Sequence, residues 1–335
     1  MSTPRTSLII VGTLFVLVFV FSSAFAGGTP RVSADAPIDV DAGYAEPLGA
    51  ITDRTPDYRF TQVPGAVKYR VKVYSTLNPT EPVYILKGTG TCGPADFICY
   101  LRPTVNLKMV DIYGKGYYYW SLEAKDSALG WRTVFVRKDF RVYSTGFTST
   151  FDSLSKWIPV YGTWSIIDPG YLKTKVVPGH VNSVVNKLQF TDGYVFQVKM
   201  KRKGLYNDEE NFIIVKGQPD LSIQNEERWS NGIQFGYNNG NNCRLSRWDN
   251  KSNIPIQEWE YPCNVHQNDW NTLTVFVNDG MLYAYMNGVR FAKIADVADS
   301  GWVGIGGFED DDGESKALLV DKAEVYYTDT EPFIP

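Results

Sequence analysis

The chain has 335 residues, of which 21% are charged and 14% aromatic, with a formal net charge of -4 and only two histidines, His180 and His266. Such a composition belongs to an ordered protein. It offers no basic field to hold nucleic acid and excludes a histidine-rich metal centre.

The first element is the apolar run from Leu8 to Phe21, preceded by Arg5 and followed by Ala24-Phe25-Ala26. A cation, a short apolar core and small residues two apart form the layout of a secretory signal peptide. The run is short for a membrane span. Residues 1–26 are therefore expected to be removed, and the protein to be secreted or held at the cell surface. A retained N-terminal anchor is the alternative. No cysteine near the cut suggests a lipoprotein, and Thr328 to Pro335 carries no hydrophobic tail of the kind exchanged for a lipid. Residues 27–46, rich in Gly, Ala, Pro and Asp, read as a linker. The remaining length predicts about two domains.

An oxidising compartment turns the four cysteines into disulfide candidates with three connectivities. Pairing Cys92 with Cys99 and Cys243 with Cys263 keeps each bridge inside one predicted domain. Four ligands this scattered suit zinc poorly.

From residue 47 the pattern is that of strands. Tyr58 and Phe60 alternate, then Tyr69, Val71 and Val73 after the Pro64-Gly65 turn, then Tyr118, Trp120, Leu122 and Ala124, and finally Phe135, Phe140 and Val142. Period-two apolar spacing between turn residues predicts half-buried antiparallel strands, here in a β-sandwich. Three runs resemble the fibronectin type III family: Thr55-Pro56-x-Tyr58-x-Phe60; Val63-Pro64-Gly65-Ala66-x-x-Tyr69-x-Val71-x-Val73; and Gly116-x-Tyr118-x-Trp120-x-Leu122-x-Ala124. The resemblance covers a domain at 47–145 and implies a spacer or presenting module. The Cys92 to Cys99 loop and the long Leu107 to Gly116 connection depart from the family's compact pattern, as binding loops or as ordinary loop variation.

A second domain, 146–335, continues the alternation through Tyr194, Phe196, Val198 and Met200, through Ile233 and Phe235, and through Leu273, Val275 and Val277. Asp279-Gly280 and Asn287-Gly288 predict tight hairpin turns on either side of Leu282 to Met286. Val303 with Ile305, Leu318 with Val320, and Val325 with Tyr327 close a pattern that suits a jelly-roll sandwich. The chain is therefore predicted to be all-β. Phe151-Asp152, Trp157, Gly162-x-Trp164, Trp270-Asn271-x-Leu273-x-Val275, Tyr285-x-Asn287-Gly288, Gly301-x-Val303-Gly304-Ile305-Gly306 and Val320-Asp321 occur in this order. In that order they resemble the concanavalin A-like lectin/glucanase superfamily, nearest its laminin G-like branch. The resemblance implies carbohydrate binding, protein binding or glycoside hydrolysis, and fold alone does not choose among them.

Glycoside hydrolysis needs two carboxyl groups flanking the scissile bond. The superfamily's glucanases carry them as Glu-x-Asp-x-x-Glu, which this chain lacks. Glu258-x-Glu260 and Glu226-Glu227 are the nearest substitutes, and an acidic solvated strand face is the simpler account of the first. A non-catalytic role is thus expected, with a carbohydrate-active hydrolase as the alternative. Neither histidine accompanies a Gly-x-Ser-x-Gly motif, and Gly304-Ile305-Gly306-Gly307 opens no helix that would make it a nucleotide loop.

Sugar binding needs aromatic faces for the rings and amides, carboxylates or guanidinium groups for the hydroxyls. The segment from Trp229 to Tyr261 holds that mixture, and Trp229, Tyr237, Asn241, Arg244, Arg247, Trp248 and Trp259 are its candidate glycan-binding residues. Tryptophans set among Asn and Asp are expected to be exposed, and packing within the sandwich is the alternative for Trp248 and Trp259. The expected partner is an extracellular glycan or glycosylated surface, with other surface proteins as the second possibility. No cofactor is certain. Calcium is the candidate, at the acidic run Glu309 to Glu314 through Asp310 and Asp312, or at Asp152 and Asp321 near the two ends of the domain. A solvated acidic turn is the simpler reading of that run, as of Asp208-Glu209-Glu210. Asn250-Lys251-Ser252 is a candidate glycosylation acceptor.

Overall fold

The computed structural model describes residues 43–93, 97–202, 209–221, 229–260, 263–295, 300–309, 316–328 and 330–331, with the side chains of 257–260 set aside. The expected signal segment, most of the linker, and the residues Asp208, Glu226, Glu227, Tyr261, Asp310 and Asp312 lie outside this set, as do the side chains of Glu258, Trp259 and Glu260. The described residues form strands and no helix, as the alternation predicts.

The first sandwich contains β1 (Ala45–Glu46), β2 (Gly49–Ile51), β3 (Tyr58–Thr61), β4 (Ala66–Ser75), β5 (Asn78–Gly88), β6 (Thr91–Cys92), β7 (Ile98–Leu101), β8 (Tyr117–Asp126) and β9 (Gly130–Val142). One sheet runs β1-β3-β7-β6 and the other β2-β9-β8-β4-β5, with β2 parallel to β9. The alternating residues named above meet between the sheets. Trp120 is fully buried, Tyr58 meets it edge-on at 5.2 Å, and its indole N–H donates to the Pro47 carbonyl at 3.0 Å. Burial of an indole is tolerated because that donor is satisfied. Cys92 faces Cys99 across β6 and β7, and the two form a disulfide.

The second sandwich contains β10 (Gly146–Ser149), β11 (Trp157–Tyr161), β12 (Trp164–Ile167), β13 (Tyr171–Lys175), β14 (Val181–Thr191), β15 (Tyr194–Arg202), β16 (Glu210–Pro219) and β17 (Trp229–Tyr237). It continues with β18 (Cys243–Asp249), β19 (Ser252–Glu260), β20 (Asn271–Asn278), β21 (Met281–Met286), β22 (Val289–Ala295), β23 (Ser300–Phe308) and β24 (Ala317–Tyr327). One sheet follows the order β12-β13-β24-β15-β20-β21-β22, with β10 also on β24, and a seven-stranded sheet runs β11-β14-β23-β16-β17-β18-β19. Phe196, Val198, Ile213, Phe235, Val275 and Ile305 interdigitate between them. Asp279-Gly280 and Asn287-Gly288 have positive φ at both residues, as two-residue hairpins require. Cys243 and Cys263 form the second disulfide.

The Leu107 to Gly116 connection has a role beyond loop variation. Asp111 forms a β-bridge with Leu188, the Ile112 N–H donates to the Lys187 carbonyl at 3.0 Å, and the Gln189 N–H donates to the Val110 carbonyl at 3.1 Å. The connection thus lies as a short extra strand along the irregular middle of β14. Asp111 holds its own turn by accepting from the Tyr113 and Lys115 amides at 2.9 and 3.0 Å. Gly116, at φ +84°, has no room for a Cβ beside the Val110 backbone. Asp35–Pro335 accordingly makes one compact unit containing both sandwiches.

Candidate functional site

The seven-stranded sheet is apolar on both faces. Along β16, Ile213 and Val215 point into the sandwich while Phe212 and Ile214 point outward. This is why the sequence here reads as a nearly continuous apolar run and not as an alternation. On the outer face Phe212 and Ile214 are joined by Val160, Val185, Trp229 and Trp248, and Ile112 of the first sandwich packs against the same cluster.

Glycines make this face. A Cβ on Gly304 would fall 2.6 Å from the Trp229 ring, and Phe212 lies over Gly306 in the same manner. The Trp229 N–H donates to Ser183 Oγ at 3.1 Å. Trp229 is therefore fully buried, and Trp248 is 5% exposed with its N–H donated to Gln234 Oε1 at 2.8 Å. The expectation of exposed tryptophans is corrected at both positions: each indole N–H has a partner, and the Trp229 ring has a flat seat on Gly304.

A polar row crosses the apolar face. Gln234 Oε1 also accepts from Asn253 Nδ2 at 3.2 Å, and Gln234 Nε2 donates to Glu210 Oε1 at 3.0 Å. The carboxyl of Glu210 occupies the space where Gly236 lacks a side chain. Burial raises the Glu210 pKa to about 7, against the opposing pull of the Gln234 hydrogen bond and the charges of Arg244 and Arg202. Arg202, itself fully buried with its pKa lowered to about 10 by desolvation, donates to the Phe308 carbonyl at 2.6 Å and to the Glu210 carbonyl at 3.3 Å. It also pairs with Glu309 at 3.3 Å. Arg202 thus fastens the start of β16 to the end of β23 and fixes where the Glu210 side chain begins. The solvated reading of Glu209 and Glu210 is corrected as well: both are buried, and Glu209 pairs with Lys316 at 3.0 Å.

Strand alternation divides the remaining candidates. Arg244 and Trp248 share the outer face with Ser246, while Arg247 points to the opposite side of β18 with Leu245. Tyr237 points into the sandwich, where its hydroxyl accepts from Asn211 Nδ2 at 3.0 Å. Asn241, at φ +62°, accepts from the Val265 amide at 2.7 Å and binds the Cys263 amide through its carbonyl, which joins the β17–β18 turn to the second disulfide. Ser246 Oγ and Asn253 Oδ1 are buried without a hydrogen-bond partner. Glu210, Gln234, Ser246 and Asn253 were not foreseen. The signal for Glu210 is a carboxylate at the head of the apolar run from Phe212 to Val215.

Among the described residues, no group of three or more His, Cys, Asp and Glu side chains is placed to hold a metal ion. Asp321 pairs with Lys199 at 2.7 Å and Asp152 accepts from Thr150 at 2.9 Å, so these two are engaged separately and do not form the paired ligand set expected of them. Asp310 and Asp312 lie outside the described residues.

No protein-family model matches the sequence, and no curated protein matches it. Similar solved structures exist. A carbohydrate-binding module from Bacillus subtilis is 15% identical, with 50% of this chain and 94% of that one aligned at a TM-score of 0.40. A Bacillus licheniformis β-glucanase is 9% identical over 55% of this chain and 99% of its own, at a TM-score of 0.44. A Bacillus subtilis protein of unknown function with a galectin-like fold is 12% identical over 55% and 97%, at 0.41. Likenesses of this strength leave the chemistry of the site to its own residues.

Proposed function

We propose that this is a secreted or cell-surface carbohydrate-binding protein whose jelly-roll sandwich, residues 146–335, takes a glycan at the outer face of the seven-stranded sheet. The observation that carries the reading is the row Trp248–Gln234–Glu210, flanked by Arg244 and by the unpartnered Ser246 Oγ and Asn253 Oδ1. An amide, a carboxyl, a hydroxyl and a guanidinium group beside an indole supply both directions of hydrogen bonding that sugar hydroxyls demand. Two disulfides suit an extracellular protein. The first sandwich is read as a fibronectin type III-like presenting module, which its strand order and the parallel β2–β9 pair support. Binding without turnover is the preferred reading because two-carboxyl hydrolysis needs a paired acid and base, and the sequence lacks the Glu-x-Asp-x-x-Glu run that carries them in the superfamily's glucanases. The test is a glycan array with the chain from residue 27 onward, repeated with Gln234→Ala. Selective binding lost in the variant supports the reading, and a blank array from folded protein overturns it.

A hydrolase is the second reading, and one observation favours it. A carboxyl with a pKa near 7 is suited to general acid catalysis at neutral pH. Release of reducing sugar from a bound oligosaccharide, abolished by Glu210→Gln, would replace the first reading with this one.

A further inference from the structure

A concavity of mixed polarity lies away from the sheet face, at the seam between the sandwiches. It encloses about 600 Å³, and its wall comes from β8 and β9 on one side and from Thr191 and Ser300 of the jelly roll on the other. That volume falls within the range of small-molecule sites, which favour such junctions.

Its chemistry is uneven in charge. Arg137 and Asp139 both line it and neutralise one another at 2.7 Å. Arg141 also lines it and forms no ion pair among the described residues. Its guanidinium group lies over the Tyr117 ring, 5.4 Å from the ring centre, and Tyr143 lines the same wall. Among the described residues that line the seam, Arg141 is therefore the cation without a carboxylate beside it. A guanidinium group over an aromatic ring presents planar N–H groups at its edge, the fork that grips a carboxylate through two parallel bonds. Tyr117 is itself positioned across the seam, its hydroxyl 3.4 Å from Gln189 Oε1, and Gln189 Nε2 donates to Ser300 Oγ at 3.4 Å. Around the cation the wall thus offers tyrosine rings and hydroxyl groups.

We propose that this seam is a binding site for an acidic oligosaccharide, in which Arg141 takes the carboxylate of a uronic acid residue and Thr191 and Ser300 take sugar hydroxyls. The site is distinct from the sheet face and stands whether or not that face binds a glycan. It also requires both sandwiches, because the cation comes from one and the hydroxyls from the other.

The test is calorimetric titration of the full chain with trigalacturonate and with its fully methyl-esterified counterpart. The two probes share a skeleton and differ in the carboxylates. Saturable binding of the acid, at least tenfold weaker for the ester and for Arg141→Gln and partly restored by Arg141→Lys, supports the proposal. Arg141 is exposed, and circular dichroism checks that its variants fold. Equal binding of acid and ester, no binding of either, or wild-type binding by Arg141→Gln overturns it, and the last outcome would move the acid away from the seam.

Discussion

Glu210 and Gln234 meet at 3.0 Å on the outer face of the seven-stranded sheet, and the carboxyl of the first is held by the amide of the second in a space that Gly236 leaves open. The pair links neighbouring strands and places an ionisable group where water is scarce. Its behaviour follows from that burial.

Because the folded pKa of Glu210 is raised from 4.5 to about 7, the folded state holds its proton more tightly than the unfolded chain. The contribution is complete below pH 4.5 and is lost as pH rises through about 7, so stability declines across that window. The upper bound is roughly 3 kcal/mol. Urea unfolding of Glu210→Gln between pH 4 and 8 is expected to be flatter than that of the parent protein. Identical pH profiles would show that Glu210 does not titrate in this way.

Trp248→Phe keeps a ring on the face and removes the donor to Gln234 Oε1. The oxygen retains Asn253, so the expected loss of stability is about 1 kcal/mol. Glycan affinity is expected to fall further than stability does. A variant that binds as tightly as the parent would remove Trp248 from the site.

Gly304→Ala forces a methyl group into the seat of the Trp229 ring. Overpacking of this kind costs roughly 1–3 kcal/mol. Thermal unfolding followed by tryptophan fluorescence reads both the loss and the displaced indole, and an unchanged midpoint would mean that the ring moves without cost.

The two disulfides close loops of different length, with sequence separations of 7 for Cys92–Cys99 and 20 for Cys243–Cys263. On chain-entropy grounds the bridges contribute roughly 2 and roughly 3 kcal/mol. Replacing both cysteines of a pair by serine is expected to lower the melting temperature more for the second pair. The reverse order would point to native-state contacts around Cys92 as the larger effect.

Ile112→Glu places a charge between the Leu107 to Gly116 connection and the apolar cluster of β14 and β16. Calorimetry of the parent protein is expected to show one transition and that of the variant two. One transition in both would mean that the seam is not held by this side chain.

Much of the fold was legible because antiparallel strands with one face in a core alternate by twos. Tyr58, Trp120, Val198 and Val275 announce their positions in this way, and Asp279-Gly280 and Asn287-Gly288 announce the turns. The site was less legible for two reasons. The seven-stranded sheet is apolar on both faces, so Trp229 and Trp248 carry no alternation to mark which side they occupy. Their burial depends on Gly304 and Gln234, which reach them through strand pairing and not through sequence neighbourhood. Glu210 was hidden in an acidic trio whose composition resembles a solvated turn, and its environment is set by Gly236 on the adjacent strand.

The docking of residues 110–112 along β14 bears on inheritance. Modules joined as beads on a string are exchangeable because their neighbours do not notice. Here a foreign module in the first position would arrive without Ile112 and Asp111, leaving part of the jelly roll's apolar face uncovered and the middle of β14 without its extra strand. For the seam to survive such an exchange, the incoming module has to bring an equivalent of residues 110–112.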